Sequence, residues 1–185
     1  STPKPSSAAS DVYKRQVTYE IPAGITSISP LVFFGNTTIE SYTVAVGNPS
    51  YIAQNGIVYS KDGTVLVMYP FQSRVGTFAI PANVKEIGAY AFYGASSINI
   101  STLRVTLPAS VKSIGDYAFH NRNVEFVYCK SLTPPFLGGA NVFGNDWGTS
   151  WKCKYYVPMS AVDDYKKAPY WKDLGDNIVG YDFTE

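Results

Sequence analysis

The chain has little of what most catalytic and metal-binding sites need. Its 185 residues include one histidine and two cysteines. A structural zinc site takes about four nitrogen or sulfur ligands, so this chain alone is a poor source of one. Two cysteines are also too few for a scaffold held together by disulfides.

Charge and long apolar runs are scarce as well. Charged residues make up 16% of the chain, and 15 Lys and Arg residues nearly cancel 14 Asp and Glu residues. Because these charges are dispersed, we exclude nucleic acid as a partner. No apolar run approaches the roughly 18 residues that a membrane span needs, so we expect no transmembrane segment. Aromatic residues, at 15%, are abundant and suit both a core and a binding surface.

Residues 1–16 differ in composition from the rest. The segment STPKPSSAASDVYKRQ is rich in Ser, Pro and Ala and has no apolar period. It lacks the apolar stretch of a signal peptide. We expect it to be disordered, or to be non-native, because SDVYKRQ resembles a translated sequencing adaptor; the native N-terminus would then be missing. We expect residues 17–185 to form a single domain.

A repeat organises that domain. The stretch IPANVKEIGAYAF (Ile80–Phe92) returns as LPASVKSIGDYAF (Leu107–Phe119), and a weaker copy begins at Ile21. Apolar residues recur three, six and eleven positions after each Pro: Ile25, Val84 and Val111; Ile28, Ile87 and Ile114; Phe33, Phe92 and Phe119. A period of about 20–50 residues is typical of a solenoid. The longer gap after Pro22 leaves room for a degenerate unit and an insertion.

Each unit reads as a strand followed by an irregular return. In LRVTL, apolar and polar residues alternate, and the Pro that follows ends the strand. Stacked units would pair their strands in parallel, with Ile87 over Ile114 and Phe92 over Phe119. Tyr90 and Tyr117 share one repeat position, so we interpret them as structural. Gly88 and Gly115 recur, which predicts a backbone conformation that other residues disfavour.

The pattern IPxxVxxIGxYAF resembles the BspA-type leucine-rich repeat of bacterial surface proteins, also described from treponemal repeats. The resemblance implies a mainly β, leucine-rich-repeat solenoid with short parallel strands and irregular or 3₁₀ returns. The first copy departs from the pattern, because PLVFFG stands where GxYAFxG is expected, and its rung should be distorted.

Two further segments resemble parts of the same family. Residues 48–70 resemble its hairpin insert, and the turn signals QNG and KDG independently predict an antiparallel meander at about residues 51–70, projecting from or flanking the stack. Residues 156–185 resemble its C-terminal cap. Ser160 and Asp163 predict a capping box for a short helix over about residues 160–167, after which Trp171 packs back.

The cysteines leave two alternatives open. Cys129 and Cys153 each precede a strand end that contains Pro, so they could be neighbours on adjacent rungs and form a disulfide. The alternative is two buried thiols that act as small apolar residues, and we slightly favour it because stacked parallel positions strain a bridge.

Candidate catalytic residues are few. His120 follows Phe119 in a repeat turn, and we interpret it as a surface-loop residue. Asp163 and Asp164 are adjacent on the predicted helix and point in different directions. Their negative charges interact favourably with the positive N-terminal end of the helix dipole. The segments FLGGA and FGNDWG match no phosphate loop. We expect no enzymatic activity, no cofactor and no metal site.

A binding surface remains. Alternation along the strands predicts an outward stripe made of Thr77, Ala79, Arg104, Thr106, Glu125, Tyr128, Lys152, Lys154 and Tyr156. The register at Glu125 and Tyr128 stays open, because NVEFVYC is apolar in both phases. Arg, Lys and Tyr are typical of binding surfaces, so the candidate binding residues are Arg104, Thr106, Tyr128, Lys152, Lys154 and Tyr156. The alternative for each of them is a solvent-exposed surface residue with no binding role.

The family resemblance implies a cell-surface or secreted bacterial protein that binds other proteins and adheres to host components; a signal peptide is not present in this chain. Two alternatives remain. One is a carbohydrate-binding module that uses Trp147, Trp151 and surface Tyr residues. The other is a structural spacer within a longer surface protein.

Overall fold

The computed structural model describes residues 17–29, 31–33, 38–70, 76–94, 103–120, 123–144 and 153–184. Within them the chain forms a mainly β solenoid with three sheets. The first is a parallel pair, β1 (Val17–Ile21) and β2 (Ile39–Val44). The segments 1–16 and 145–152 lie outside the described residues. The disorder that we expect for residues 1–16 therefore stays a prediction.

The front sheet has five parallel strands in the order β13-β12-β10-β8-β6. It contains β6 (Thr77–Ala79), β8 (Leu103–Leu107), β10 (Val124–Cys129), β12 (Lys154–Pro158) and β13 (Ile178–Tyr181). Each strand after β6 comes from the next unit along the chain. This is the parallel stacking that the repeat predicts.

The rear sheet has six strands in the order β11-β9-β7-β5-β4-β3. The antiparallel strands β3 (Tyr51–Gln54), β4 (Ile57–Ser60) and β5 (Val65–Met68) form the predicted meander. The two-residue strands β7 (Glu86–Ile87), β9 (Ser113–Ile114) and β11 (Phe136–Leu137) then extend it in parallel. Irregular returns thus contain a short strand in each unit, and Ile87 pairs with Ile114 as expected.

The Pro residues of the repeat build the same turn three times. The amide three residues later donates to the Pro carbonyl in each copy, at Ile25, Val84 and Val111, over 3.2, 3.0 and 3.2 Å. The side chains differ, however: Val84 and Val111 are fully buried, whereas Ile25 is 39% exposed. The first rung keeps its turn, but Ile25 is not buried as Val84 and Val111 are. The segment PLVFFG, where we expected the distortion, lies partly outside the described residues.

Our explanation for the recurrent glycines is wrong. Gly88 and Gly115 do not adopt positive φ; that conformation falls on Tyr90 and Tyr117, at 59° and 56°. Instead, glycine is required at these positions because the backbone of the neighbouring rung lies too close for a Cβ atom. A Cβ on Gly115 would lie 2.3 Å from the Ala89 nitrogen, because the Gly115 amide donates to the Ile87 carbonyl at 2.8 Å.

The main core lies between the front and rear sheets and contains a continuous aromatic spine, defined as Tyr69, Phe92, Phe119, Phe143 and Trp171. Successive ring centroids along it are 4.7, 4.6, 5.4 and 5.7 Å apart. Such ring pairs each add about 0.5–1.5 kcal/mol beyond the area they bury. The predicted stacking of Phe92 on Phe119 is therefore one step of a longer column.

Of the two alternatives left open, projecting from the stack or flanking it, the meander adopts the second: it continues the rear sheet. It also separates two cores. Ile57 and Tyr59 of β4 belong to the main core, whereas Val58 between them belongs to a second cluster with Ile21 and Ile39. All three β4 residues are buried. An antiparallel strand commonly has one face in the core and the other toward solvent. Both faces of β4 are buried, so this strand forms an internal wall between the two clusters.

Asn48 connects the first unit to the start of the meander. Its side chain is 1% exposed. Its amide donates to the carbonyls of Pro22 and Ile25, both at 2.9 Å, and its oxygen accepts from the amides of Ser50 and Tyr51, both at 2.8 Å. All hydrogen-bonding capacity of a buried amide is thus used.

The cap consists of a 3₁₀ helix (Met159–Ala161), helix α1 (Val162–Lys167) and a second 3₁₀ segment (Trp171–Asn177). No side chain caps α1, so the predicted capping box of Ser160 and Asp163 does not form. Trp171 packs back as expected: it is fully buried, and its Nε1 donates to the Pro135 carbonyl at 2.8 Å. The Tyr165 hydroxyl donates to the Ser131 carbonyl at 3.0 Å.

Candidate functional site: an aromatic strip on the front sheet

Strand register arranges the outer face of the front sheet in two rows. One row runs from Thr77 through Arg104 and Phe126 to Lys154. The other contains Ala79, Thr106, Tyr128, Tyr156 and Val179. The inward residues between them, such as Val105 and Val127, are fully buried. The rows therefore form the solvent side of the sheet.

The sequence did not show which residues of β10 point outward. A register shift between Val124 and Phe126 determines this. Phe126, not Glu125, pairs with Arg104 across the strands, so Phe126 occupies the row position that we assigned to Glu125. The irregularity nevertheless leaves Glu125 half-buried, with its carboxylate 3.0 Å from both Nε and one terminal nitrogen of Arg104. Glu125 therefore reaches the face as the partner of Arg104.

Four rings cluster on this face, and we call Phe126, Tyr128, Tyr156 and Tyr181 the aromatic strip. Tyr128 and Tyr156 stack with centroids 4.9 Å apart and planes at 17°. Tyr181 meets both edge-on, at 5.6 and 5.4 Å, and Phe126 leans on Tyr156 at 5.7 Å. Phe183 extends the cluster through a 4.9 Å contact with Tyr181.

The ring faces of the strip are turned largely toward neighbouring rings. Tyr128 and Tyr156 cover each other's faces, and the neighbouring rings approach at 55–74°. Partial desolvation, together with Tyr156 and Tyr181 nearby, raises the pKa of Tyr128. Its hydroxyl therefore stays protonated at neutral pH and can both donate and accept a hydrogen bond.

The cations beside the strip already have partners. The Arg104 guanidinium pairs with Glu125 and lies 5.1 Å from the centre of the Phe126 ring. The Lys154 ammonium donates to the Asn177 side chain at 3.1 Å and to the Asp176 carbonyl at 3.4 Å. The strip is thus an aromatic, hydroxyl-bearing surface with paired charges at its margin.

Most candidate binding residues come together on this face. Arg104 and Thr106 lie on β8, Tyr128 on β10, and Lys154 and Tyr156 on β12. Lys152, and also Trp147 and Trp151 of the carbohydrate hypothesis, lie outside the described residues. Sequence reasoning missed Phe126 and Tyr181. The alternating segment IVGYDF could have revealed Tyr181 as an outward residue of one more strand.

His120 is not a surface-loop residue, as we had interpreted it. It is 4% exposed, with Nδ1 3.1 Å from the Asn141 carbonyl. Its ring stacks on Tyr93 at 5.7 Å and leans on Tyr117 at 4.8 Å. The next rung closes over it, since a Cβ on Gly144 would lie 2.8 Å from Nδ1. His120 fills a repeat position in the return, while Asp163 and Asp164 are exposed in the first turn of α1.

Cys129 and Cys153 are both buried free thiols. Tyr128, next to Cys129, pairs with Tyr156, whereas Cys153 precedes Lys154, which pairs with Phe126. The two cysteines thus lie at opposite ends of the paired segment. Burial raises the pKa of Cys129 strongly and that of Cys153 to about 12. Both therefore act as small apolar residues, the second of our two alternatives.

Two further kinds of feature are absent from the described residues. No helix among them is long and apolar enough to cross a membrane. In the same part of the chain, no three His, Cys, Asp or Glu side chains gather in a group that could hold a metal ion.

Comparison with known proteins finds a family model that matches part of the chain. The family model described as "BspA type Leucine rich repeat region (6 copies)" matches residues 68–133. These residues contain the two clear repeats and the strands β8 and β10 that carry part of the aromatic strip. No curated protein matches the chain.

Three solved structures are similar to the chain. A leucine-rich repeat protein from Eubacterium ventriosum is 22% identical over 78% of this chain and 43% of its own, with a TM-score of 0.48. The pneumococcal vaccine antigen PcpA is 18% identical over 88% and 54%, with a TM-score of 0.45. A leucine-rich cell surface protein from Faecalibacterium prausnitzii is 21% identical over 78% and 42%, with a TM-score of 0.47. The chain spans about half the length of these proteins.

Proposed function

Residues 68–133 are a BspA-type leucine-rich repeat region, and from this premise we propose that the chain is a non-enzymatic interaction domain that binds partner proteins through the aromatic strip. Repeats of this family are generally non-catalytic. The observation that carries the proposal is the strip itself. It gathers Phe126, Tyr128, Tyr156 and Tyr181 on the solvent side of the front sheet.

The composition of the strip supports a protein partner. Tyrosine at an interface supplies a large, rigid contact area at low entropic cost, and its hydroxyl finds polar groups on the partner. Arg104 and Lys154 already have partners in the free protein. They lie at the margin of the strip, where charged residues contribute mainly to association rate and specificity.

The ring orientations favour protein over carbohydrate. Sugars stack on exposed aromatic faces, because their C–H groups meet the π-electrons there. The faces of Tyr128 and Tyr156 are turned toward each other at 4.9 Å, which leaves edges and hydroxyls for contact. Ring edges pack well against apolar side chains of a protein, so we propose protein as the ligand class and keep carbohydrate as an outcome of the test.

We further propose that the chain acts at the bacterial surface or in secreted form, as an adhesion module toward host components. The family and the interaction surface support this setting. Residues 17–185 would form one domain, with the meander at 48–70 and the cap at 156–185 as parts of it. A purely structural spacer is the competing account, and it predicts a strip that binds nothing.

The test is a binding screen with a matched pair of variants. The full chain is immobilised and exposed to purified extracellular-matrix and plasma proteins, and in parallel to a glycan array. Tyr181→Ala removes a strip ring that is 40% exposed, and Tyr19→Ala removes a ring that is 41% exposed on the first unit. We expect a saturable protein ligand whose affinity falls at least tenfold with Tyr181→Ala and is unchanged with Tyr19→Ala.

A double variant separates contact from folding. Tyr128→Phe with Tyr156→Phe keeps both rings and removes only the hydroxyls, so the stack should persist while binding weakens. Equal loss of affinity in the strip variants and in Tyr19→Ala would remove this face from the proposal. A glycan as the only ligand would move the function to carbohydrate capture, and the absence of any ligand would favour the spacer.

A further inference from the structure

Tyr90 and Tyr117 form a second stack of tyrosine rings, in the irregular returns that follow β7 and β9. Their ring planes are parallel within 1°, and their centroids are 5.0 Å apart. Both residues are half-buried, and neither belongs to either hydrophobic cluster. The two rings therefore pack on each other outside the cores, where a reagent in solution reaches them.

The repeat holds the two rings in register. Each Tyr follows its repeat Pro by nine residues, and the backbone φ is 59° at Tyr90 and 56° at Tyr117. Because the side chains leave equivalent backbone positions in neighbouring units, one ring is the other moved by one rung. Each ring atom then lies about as far from its counterpart as the centroids do, so the carbons next to the two hydroxyls face each other.

This position of the repeat carries one pair of tyrosines. Tyr90 and Tyr117 each stand two residues before the spine ring of their unit, and in the preceding and following units this position is Val67 and Asn141. Partial desolvation, and next the nearby Tyr117 hydroxyl, raise the pKa of Tyr90. The two hydroxyls are therefore neighbours, and Tyr90 is an uncharged phenol at neutral pH.

The other stacked pair of tyrosines among the described residues is more confined. Tyr128 and Tyr156 lie 4.9 Å apart, but their planes are tilted by 17°, and Tyr181 contacts both rings edge-on. No ring in the described part of the chain contacts both Tyr90 and Tyr117. This parallel pair consequently has more freedom to bring two ring carbons together.

We propose that Tyr90 and Tyr117 are a site of oxidative cross-linking, at which a haem peroxidase and hydrogen peroxide join two neighbouring units through a dityrosine bond. Haem supplies the one-electron chemistry. Each phenol loses one electron and one proton, and the two tyrosyl radicals form a bond between the carbons next to their hydroxyls. The hydrogens on those carbons move to the oxygens and restore both phenols. The peroxide takes up two electrons and two protons and leaves as two water molecules.

The bond would act as a covalent staple between repeats. It closes the chain between Tyr90 and Tyr117 into a loop, and such a link restricts the unfolded state. The cysteines do not provide a staple, because Cys129 and Cys153 are free thiols. The inference goes beyond the proposed function and is independent of it, since neither tyrosine belongs to the aromatic strip.

The test oxidises the full chain in dilute solution with a purified haem peroxidase and hydrogen peroxide. We expect dityrosine fluorescence in the monomer band of a denaturing gel and an intact mass lower by two hydrogen atoms. Tryptic digestion should yield one cross-linked peptide pair that joins Tyr90 to Tyr117. The cross-linked monomer should melt at a higher temperature than the untreated protein.

Two Phe variants form a matched pair. Tyr117→Phe keeps the ring and removes the phenol, so it should abolish the cross-link; Tyr90→Phe serves the same purpose if that variant does not fold. Tyr93→Phe removes a phenol whose ring meets Tyr90 at 5.4 Å and 58°, and it should leave the cross-link unchanged.

Three results would overturn the proposal. The first is the absence of dityrosine from the oxidised monomer. The second is a cross-link that maps to Tyr128 and Tyr156, or to Tyr90 and Tyr93. The third is an undiminished yield in Tyr117→Phe. A cross-link confined to dimers counts as the first result, because the two phenols would then react with another molecule and not with each other.

Discussion

The ring of Phe92 lies nearly parallel to the ring of Phe119, with centroids 4.6 Å apart and planes at 16°. The two residues occupy the same position in successive repeats, eleven residues after the repeat Pro. Each unit therefore places one ring on the ring of the unit before it, and the aromatic spine measures how well the units stack.

Truncating the middle of the spine should destabilise the protein strongly. Phe119→Ala removes the contacts with both Phe92 and Phe143 and should lower the free energy of unfolding by about 3–5 kcal/mol, typical of a large cavity. Urea denaturation followed by circular dichroism measures it. Phe136→Ala, at a ring that is 67% exposed, is the control. Similar losses in both variants would show that the spine is not a main source of stability.

A methyl group between rungs should be poorly tolerated. The Cβ of Gly115→Ala would lie 2.3 Å from the Ala89 nitrogen and 2.6 Å from its Cα, so backbone must move. We expect a loss of at least 1–3 kcal/mol, the order of magnitude found for overpacking. At Gly24 nothing lies within 4 Å of the added carbon, so Gly24→Ala should change stability little. Equal melting temperatures for the two variants would contradict the close-approach explanation.

The KDG turn of the meander should make stability depend on acid. Hydrogen bonds from Ser60 and Thr64 lower the pKa of Asp62 to about 2. Because folding favours the ionised carboxylate, this stabilisation is complete above the unfolded pKa of about 3.9 and is lost as the pH falls toward 2. Asp62→Asn should thus lower the melting temperature at neutral pH and converge with the unmodified protein in that acidic window. Glu86→Gln, at another exposed carboxyl, is the control, and a constant gap for Asp62→Asn would refute the linkage.

The two thiols should be unreactive in the folded protein. Burial raises the pKa of Cys153 to about 12 and that of Cys129 further, so little thiolate forms near neutral pH. A chromogenic disulfide reagent should therefore react only as fast as the protein opens, and should titrate both thiols in denaturant without reductant. Rapid reaction of the native protein, or fewer thiols after denaturation, would contradict the buried-thiol assignment.

Periodic side chains made the stack predictable. Val84, Ile87 and Phe92 recur at fixed offsets, and a repeat with one apolar face has few ways to bury it other than by stacking. The outward positions of Arg104 and Tyr156 followed from the same alternation, whereas the register of Tyr128 was open. This much of the candidate site depends only on local period, which the sequence carries directly.

Features that depend on long-range packing could not be predicted. An irregularity in β10 places Phe126 opposite Arg104, and the apolar run around it gave no phase signal. His120 looked exposed because its burial depends on Gly144 of the next rung. The sequence of one repeat led us to expect the unusual backbone conformation at Gly115, whereas it occurs at Tyr117. Glycine is needed at Gly115 because the neighbouring rung approaches it closely, and a single repeat does not show that contact.

The internal wall formed by β4 has a thermodynamic consequence. In an ordinary solenoid, neighbouring units interact only through the surfaces between them, and an end unit can fray while the remainder persists. Here Val58 lies in one hydrophobic cluster, and Ile57 and Tyr59 beside it lie in the other. Opening either cluster exposes one side of the same short strand to water and weakens the other, so the first unit gains cooperativity that its own packing does not supply.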